Sequence, residues 1–155
     1  MLQALVIVAI TAGAFGLGFR NIPILTFDES SPILKVLLVA STRLIGWILW
    51  AALAYIIGTK LLRGTAGFRT LLRNIGFAFG PGILALLFEV PIAGTIFYSI
   101  SLFWIFAAGM VAVHESQGYD WIRTFVASAV GWYVAFLLFP AIMIPIAAPG
   151  IGAPP

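Results

Sequence analysis

The sequence has no cysteine and little charge: 8 Lys and Arg and 5 Asp and Glu in 155 residues, or 8%. Without cysteine there are no disulfides, thiolate metal sites, iron–sulfur clusters or S-palmitoylation. A soluble domain carries about 25% charged residues. So few charges cannot cover a water-facing globule, which excludes a soluble enzyme and a disordered tail. The sequence also lacks a phosphate-binding G-x-x-x-x-G-K-[ST] loop, a nucleophile elbow and any Ser/His/Asp set at catalytic spacing. No enzymatic activity is expected. What the sequence does have is 63% apolar residues and a mean hydropathy of +1.15. This composition predicts an all-α polytopic membrane protein. The net charge of +3 is then read as a topology signal, with no nucleic-acid partner implied.

The hydropathy pattern predicts one membrane domain over 1–155, with five transmembrane helices in one bundle. The expected spans are about 2–19, 41–59, 74–88, 95–113 and 121–139. A secretory signal peptide needs a basic n-region, and none precedes Arg20, so the first apolar stretch is read as a span. Arg20 to Ser31 is a polar link with Pro23, Asp28 and Glu29. Ser31-Pro32 has the form of a helix start, with Ser as the cap and Pro at the first helical position. A helix from there to Leu62 is about 46 Å long, more than the hydrocarbon core of about 30 Å. Its excess is placed at the N-terminal end, with Arg43 snorkelling to the outer headgroups. The third span contains Gly80-Pro81-Gly82. Pro81 removes a backbone donor and is expected to break the helix there. Glu89 to Gly94 is an outer turn. His114 to Asp120 is an inner loop, with Asp120 capping the fifth helix. The tail from Pro140 to Pro155 is uncharged, holds five of the nine prolines, and is expected to be non-helical and held against the membrane or a partner.

Lys60, Arg63, Arg69 and Arg73 are half of all Lys and Arg, and no acid lies among them. By the positive-inside rule this segment faces the cytoplasm. That places the N-terminus inside and the C-terminus outside, with a bacterial inner membrane as the expected location. The same four residues are candidates for binding anionic lipid headgroups or an acidic partner. Small residues four apart, among them Gly76/Gly80 and Ala127/Gly131, let helices approach closely within the bundle or against partner subunits. Pro81 is grouped with these packing residues. Arg43 and Glu89, near the outer ends of their spans, are candidates for an ion pair. His114 is followed by Glu115 but has Gly118 where a zincin needs a second His. No metal site or cofactor is expected, and the one residue that could ligate a haem or chlorophyll metal is His114.

One stretch resembles a known family. Tyr55-x-x-Gly58, a Gly-rich basic loop with Phe68-Arg69, the element Gly76-Phe77-Ala78 before Pro81, the turn Pro91-Ile-Ala-Gly94, Trp104 and Gly131-Trp132 are similar to the YIP family (the Ypt/Rab-interacting membrane domain), in its bacterial form. The resemblance covers about residues 45–135 and implies five helices with the N-terminus inside. The cytosolic Asp-Leu-Tyr-Gly-Pro element of eukaryotic members is missing.

These features predict a non-enzymatic accessory or scaffold subunit of a larger membrane complex, with a respiratory or photosynthetic assembly as a natural host. Membrane lipids and other integral membrane subunits are the expected partners, met through small-residue faces and the 140–155 tail. A small transporter or channel is the first alternative, because interrupted helices line transport sites. A membrane-shaping or trafficking factor, by family analogy, is the second.

Overall fold

The structure is a computed structural model that describes residues 1–18, 32–90 and 93–147. The Arg20–Ser31 link, the Ser31 cap, Pro91 and Ile92 of the outer turn, and the end of the tail lie outside the described residues. Those described are helical, with no strand among them.

Helix α1 is Leu2–Gly18. Helix α2 is Pro32–Ile56 and continues as a π-helical turn, Ile57–Leu61. Helix α3, Phe68–Ala78, passes into a 3-10 helix over Gly80–Glu89. Helix α4 is Ala93–Gln117. Helix α5, Trp121–Tyr133, continues through a π turn, Val134–Leu138, into α6, Phe139–Ala147. Four continuous helical stretches are long and apolar enough to cross a membrane: Ile33–Leu61, Phe68–Glu89, Ala93–Gln117 and Trp121–Met143. This is a membrane-integral helical protein. Helix α1, with 17 residues, is shorter.

Three expected boundaries move. The third stretch begins at Phe68, so Arg69 and Arg73 ride on a helix and not in a loop. Helix α4 runs to Gln117, which makes His114 helical. Pro140 does not end the last helix. A proline ring clashes with the carbonyl four residues back and supplies no N–H. Here the wider π turn stands immediately before it, and π bulges are a usual way for a helix to absorb such an interruption.

The ten-residue 3-10 segment is longer than is common for this helix type. Its threefold repeat puts Gly82, Ala85 and Phe88 in one row. A Cβ on Gly82 would meet Phe15, Thr11 and Ile105, and Gly18 packs directly on the Ala85 carbonyl. Phe88 stacks edge-on with Tyr98 at 5.3 Å between ring centroids. The row therefore faces α1 and α4.

The centre of the bundle is Trp50, fully buried on α2. Two glycines from other helices, Gly109 on α4 and Gly131 on α5, lie flat against its indole. Phe79 and Phe136 complete the cluster, with ring centroids 6.2 and 6.1 Å from that of Trp50. Gly76 packs on Ala4 and Trp47, and Ala127 is fully buried, whereas Gly80 has nothing within 4 Å of where a Cβ would stand. The Trp47 indole donates to the Leu72 carbonyl at 2.9 Å, tying α2 to α3.

Gly131→Val would place a branched side chain into the Trp50 ring. Overpacking of this kind costs about 1–3 kcal/mol. The variant is expected to unfold at a lower temperature in detergent, whereas Gly80→Ala should leave the midpoint unchanged or slightly raised. Thermal melts of the purified variants check both.

Candidate functional site

Two polar regions stand out against the apolar bundle. The first is at the end where α2, α3, α4 and α5 turn. Gln117, the last residue of α4, is buried. Its carboxamide fits between Gly58 and Gly64, where any side chain would collide with it. Its Oε1 accepts from the Ala66 N–H at 3.2 Å, and its Nε2 donates to the Ala54 carbonyl at 3.3 Å. One side chain thus fixes the end of α2 and the loop to α3. Arg63 in that loop is left-handed, with φ 59°, and the Gly64 N–H closes back on the Gly58 carbonyl at 2.7 Å. Asn74 donates to Ser116 at 2.9 Å, joining α3 to α4.

His114 lies in the same layer. Its ring stacks on Trp121, with centroids 3.8 Å apart and planes 12° apart. Nδ1 is 3.1 Å from the Thr124 hydroxyl, which donates its single proton to the Asp120 carbonyl at 3.0 Å. This contact occupies Nδ1 whichever tautomer the ring adopts. Any metal coordination at His114 would go through Nε2. Among the described residues no three His, Asp or Glu gather as a metal site. Asp120 caps α5 by accepting from the Arg123 N–H at 3.0 Å and pairs with the Arg123 side chain at 3.1 Å.

The four cations of the basic segment separate into two sets. Lys60 is in the π turn and Arg63 in the loop; Arg69 and Arg73 lie one turn apart on α3. All four are exposed. Beside Arg69 and Arg73 a cleft of about 470 Å³ opens between α3 and Met1, lined by Phe68, Thr70 and Leu72 as well.

The second polar region is Arg43, near the middle of α2. It does not snorkel outward: it is 7% exposed and faces the interior. Its guanidinium lies over Phe15 at 4.7 Å and Phe136 at 5.0 Å from the ring centroids. The Tyr98 side chain is beside the guanidinium, while Nε and Nη1 have no hydrogen-bond partner. The expected ion pair is not formed among the described residues. Arg43 meets rings where a carboxylate was expected, and Glu89 is at the surface. Cation–π attraction strengthens when the cation is desolvated, so the rings take part of the role an acid would fill.

Pro81 is packed into the bundle. Its carbonyl accepts from the Ser101 hydroxyl at 3.2 Å, and the neighbouring Gly82 is closed over by Phe15, Thr11 and Ile105. On the opposite side, α4 and α5 form a furrow of about 510 Å³ whose walls include Phe103, Phe106, Phe125, Trp132 and Tyr133.

The chain matches no protein-family model, no curated protein and no solved structure. Its functional reading therefore rests on these sites and on the motifs quoted above.

Sequence reasoning did not single out Gln117 or Trp50. Gln117 had a signal, since a lone amide at the end of a long apolar helix has to find partners if it is buried. The Trp50 contacts join residues far apart in the chain and leave no local pattern.

Two predictions follow from these contacts. Because Arg43 and Glu89 do not pair with each other, Arg43→Ala and Glu89→Ala should lower the detergent unfolding free energy additively, within about 0.5 kcal/mol, whereas Arg43→Met should hold or raise it by removing two unsatisfied donors. A double-mutant cycle on thermal or denaturant unfolding measures this. Asp120 has its pKa below the usual carboxylate value, because the Arg123 N–H binds its charged form. A carboxyl depressed in the folded state stabilises above its unfolded pKa of about 4, and this contribution is lost as pH falls through the lower, folded value. Asp120→Asn keeps a capping oxygen and should reduce the drop in melting temperature between pH 7 and pH 3.

Proposed function

We propose that the chain is a non-enzymatic scaffold, an accessory subunit that packs against other integral membrane subunits of a larger complex. The observation that carries this reading is the outward face of α4 and α5. Phe103 is 73% exposed and Phe125 and Tyr133 more than half exposed along the aromatic furrow, and Trp104, also more than half exposed, lines an adjoining groove that shares Phe103. Large rigid rings offer much contact area at little entropic cost, and a furrow gives a partner helix something to interlock with.

The interior supports the same reading. The bundle is filled by Trp50, Phe79, Phe136 and the caged Arg43. The interruption at Pro81, which favoured a transporter in the sequence, is packed by Ser101, Phe15 and Ile105. A trafficking role by likeness to the YIP family has no structural feature in its favour.

In this reading five helices span, with the basic end inside, the N-terminus inside and the C-terminus outside. Helix α1 is about 26 Å long, close to the hydrocarbon thickness. Its contacts run the depth of the bundle, from Ala4 at Gly76 to Gly18 at Ala85. A bacterial inner membrane is the proposed location.

Extraction from native membrane in mild detergent, followed by mass spectrometry, is expected to yield a stoichiometric integral membrane partner. Phe103→Ala with Trp104→Ala should reduce its recovery several-fold without changing the subunit's own melting temperature. A lone monomer or homo-oligomer from the wild type would overturn the proposal.

A further inference from the structure

The cleft between Met1 and the start of α3 combines three features that the rest of the bundle surface does not bring together. Its walls are apolar, made by Met1, Phe68 and Leu72; its rim carries Arg69 and Arg73; and its volume of about 470 Å³ is in the range of small-molecule sites, about 300–1,000 Å³. The two arginines are four residues apart on α3 and so project from one face of the helix. Neither has an ion-pair partner among the described residues; Arg73 Nε has only a 3.4 Å contact to Asn74 Oδ1. Thr70 adds a hydroxyl. The cleft also lies at the end of a membrane-crossing stretch, Phe68–Glu89, where headgroups meet acyl chains.

We propose that this cleft is a binding site for one anionic phospholipid. The phosphate lies between the Arg69 and Arg73 guanidiniums, whose planar forks suit phosphate oxygens. The first part of an acyl chain runs along Phe68, Leu72 and Met1. Charge complementarity selects the occupant: two arginines and no acid are among the residues that line the cleft, so a zwitterionic lipid would bring a positive group that the lining does not meet. Lys60 and Arg63 do not line the cleft and add only general attraction to an anionic surface. The N-terminus of α3, capped by Gly67 with no side-chain hydrogen bond, adds its positive end to the same field. This site is independent of the scaffold reading, because it is on a different face from the α4–α5 furrow.

The test uses the full chain, reconstituted in nanodiscs of equal phosphatidylcholine and phosphatidylglycerol, then released into detergent for native mass spectrometry. The wild type is expected to retain one phosphatidylglycerol in preference to phosphatidylcholine. Arg69→Gln with Arg73→Gln should weaken retention by roughly 10- to 30-fold, about a fivefold factor per cation. Arg69→Lys with Arg73→Lys should restore part of it and shows that loss in the Gln variant is not misfolding. Lys60→Gln with Arg63→Gln should change retention by less than about twofold. Equal loss in both Gln pairs, equal retention of the two lipids, or displacement of the bound lipid by millimolar inorganic phosphate would overturn the proposal; the last would make it a site for a soluble anion.

Discussion

Inside a bilayer no water is at hand for a backbone N–H or C=O, so every such group has to be satisfied within the protein. This constraint explains why the helices of this chain deform but do not stop. Where Gly80, Pro81 and Gly82 weaken the α-helix, the backbone tightens into a 3-10 helix and keeps bonding. Where Pro140 withdraws a donor, the preceding turn widens into a π-helix and the stretch carries on to Ala147. The π turn at Ile57–Leu61 closes the end of the second long helix in the same manner, with the Leu62 N–H reaching the Ile57 carbonyl at 3.1 Å. In water each of these sequences would favour a break, because solvent would take up the freed groups.

Packing adds a second layer to this frame. Apolar side chains gain little by leaving lipid for protein, so helices associate by close fit and by polar contacts. Both are visible at the centre. Trp50 fills the space left by Gly109 and Gly131, so a bulky side chain on one helix is matched by the absence of one on two others. Arg43 is a costlier element, a cation in a nest of rings with two donors unmet. Its position ties α1, α2, α4 and the turn before α6 to one charge. Around it, the Phe15–Tyr98 and Phe88–Tyr98 edge contacts extend the cage to the 3-10 row.

Much of the fold is legible in the sequence because composition is a global signal. The near absence of charge and the spacing of apolar stretches suffice for an all-helical membrane bundle, and Asp120 announces its cap. Boundaries are less legible. Arg69 and Arg73 look like loop residues by charge, yet Leu71 and Ile75 on the opposite face are fully buried, so the helix starts early with its cations outward. Arg43 and Glu89 look complementary by charge alone. The side of the helix on which Arg43 sits is set by neighbours contributed from residues 15, 98 and 136, which no local pattern around position 43 reveals. The cleft beside α3 is of the same kind, since its second wall comes from the far end of the chain.

The Gln117 carboxamide also sets an order of events. Ala54 and Ala66 precede Gln117 by more than fifty positions in the chain, so the loop between α2 and α3 is made before the residue that locks it and takes its final shape only when α4 is in place. Its Ala66 N–H has no protein acceptor until α4 arrives with Gln117. Lys60 and Arg63 therefore stand beside a segment that is still open when they are made, and the residue that closes it comes later in the chain. The loop and its lock are assigned to different helices, and a chain stopped short of the end of α4 leaves the Ala66 N–H without its acceptor.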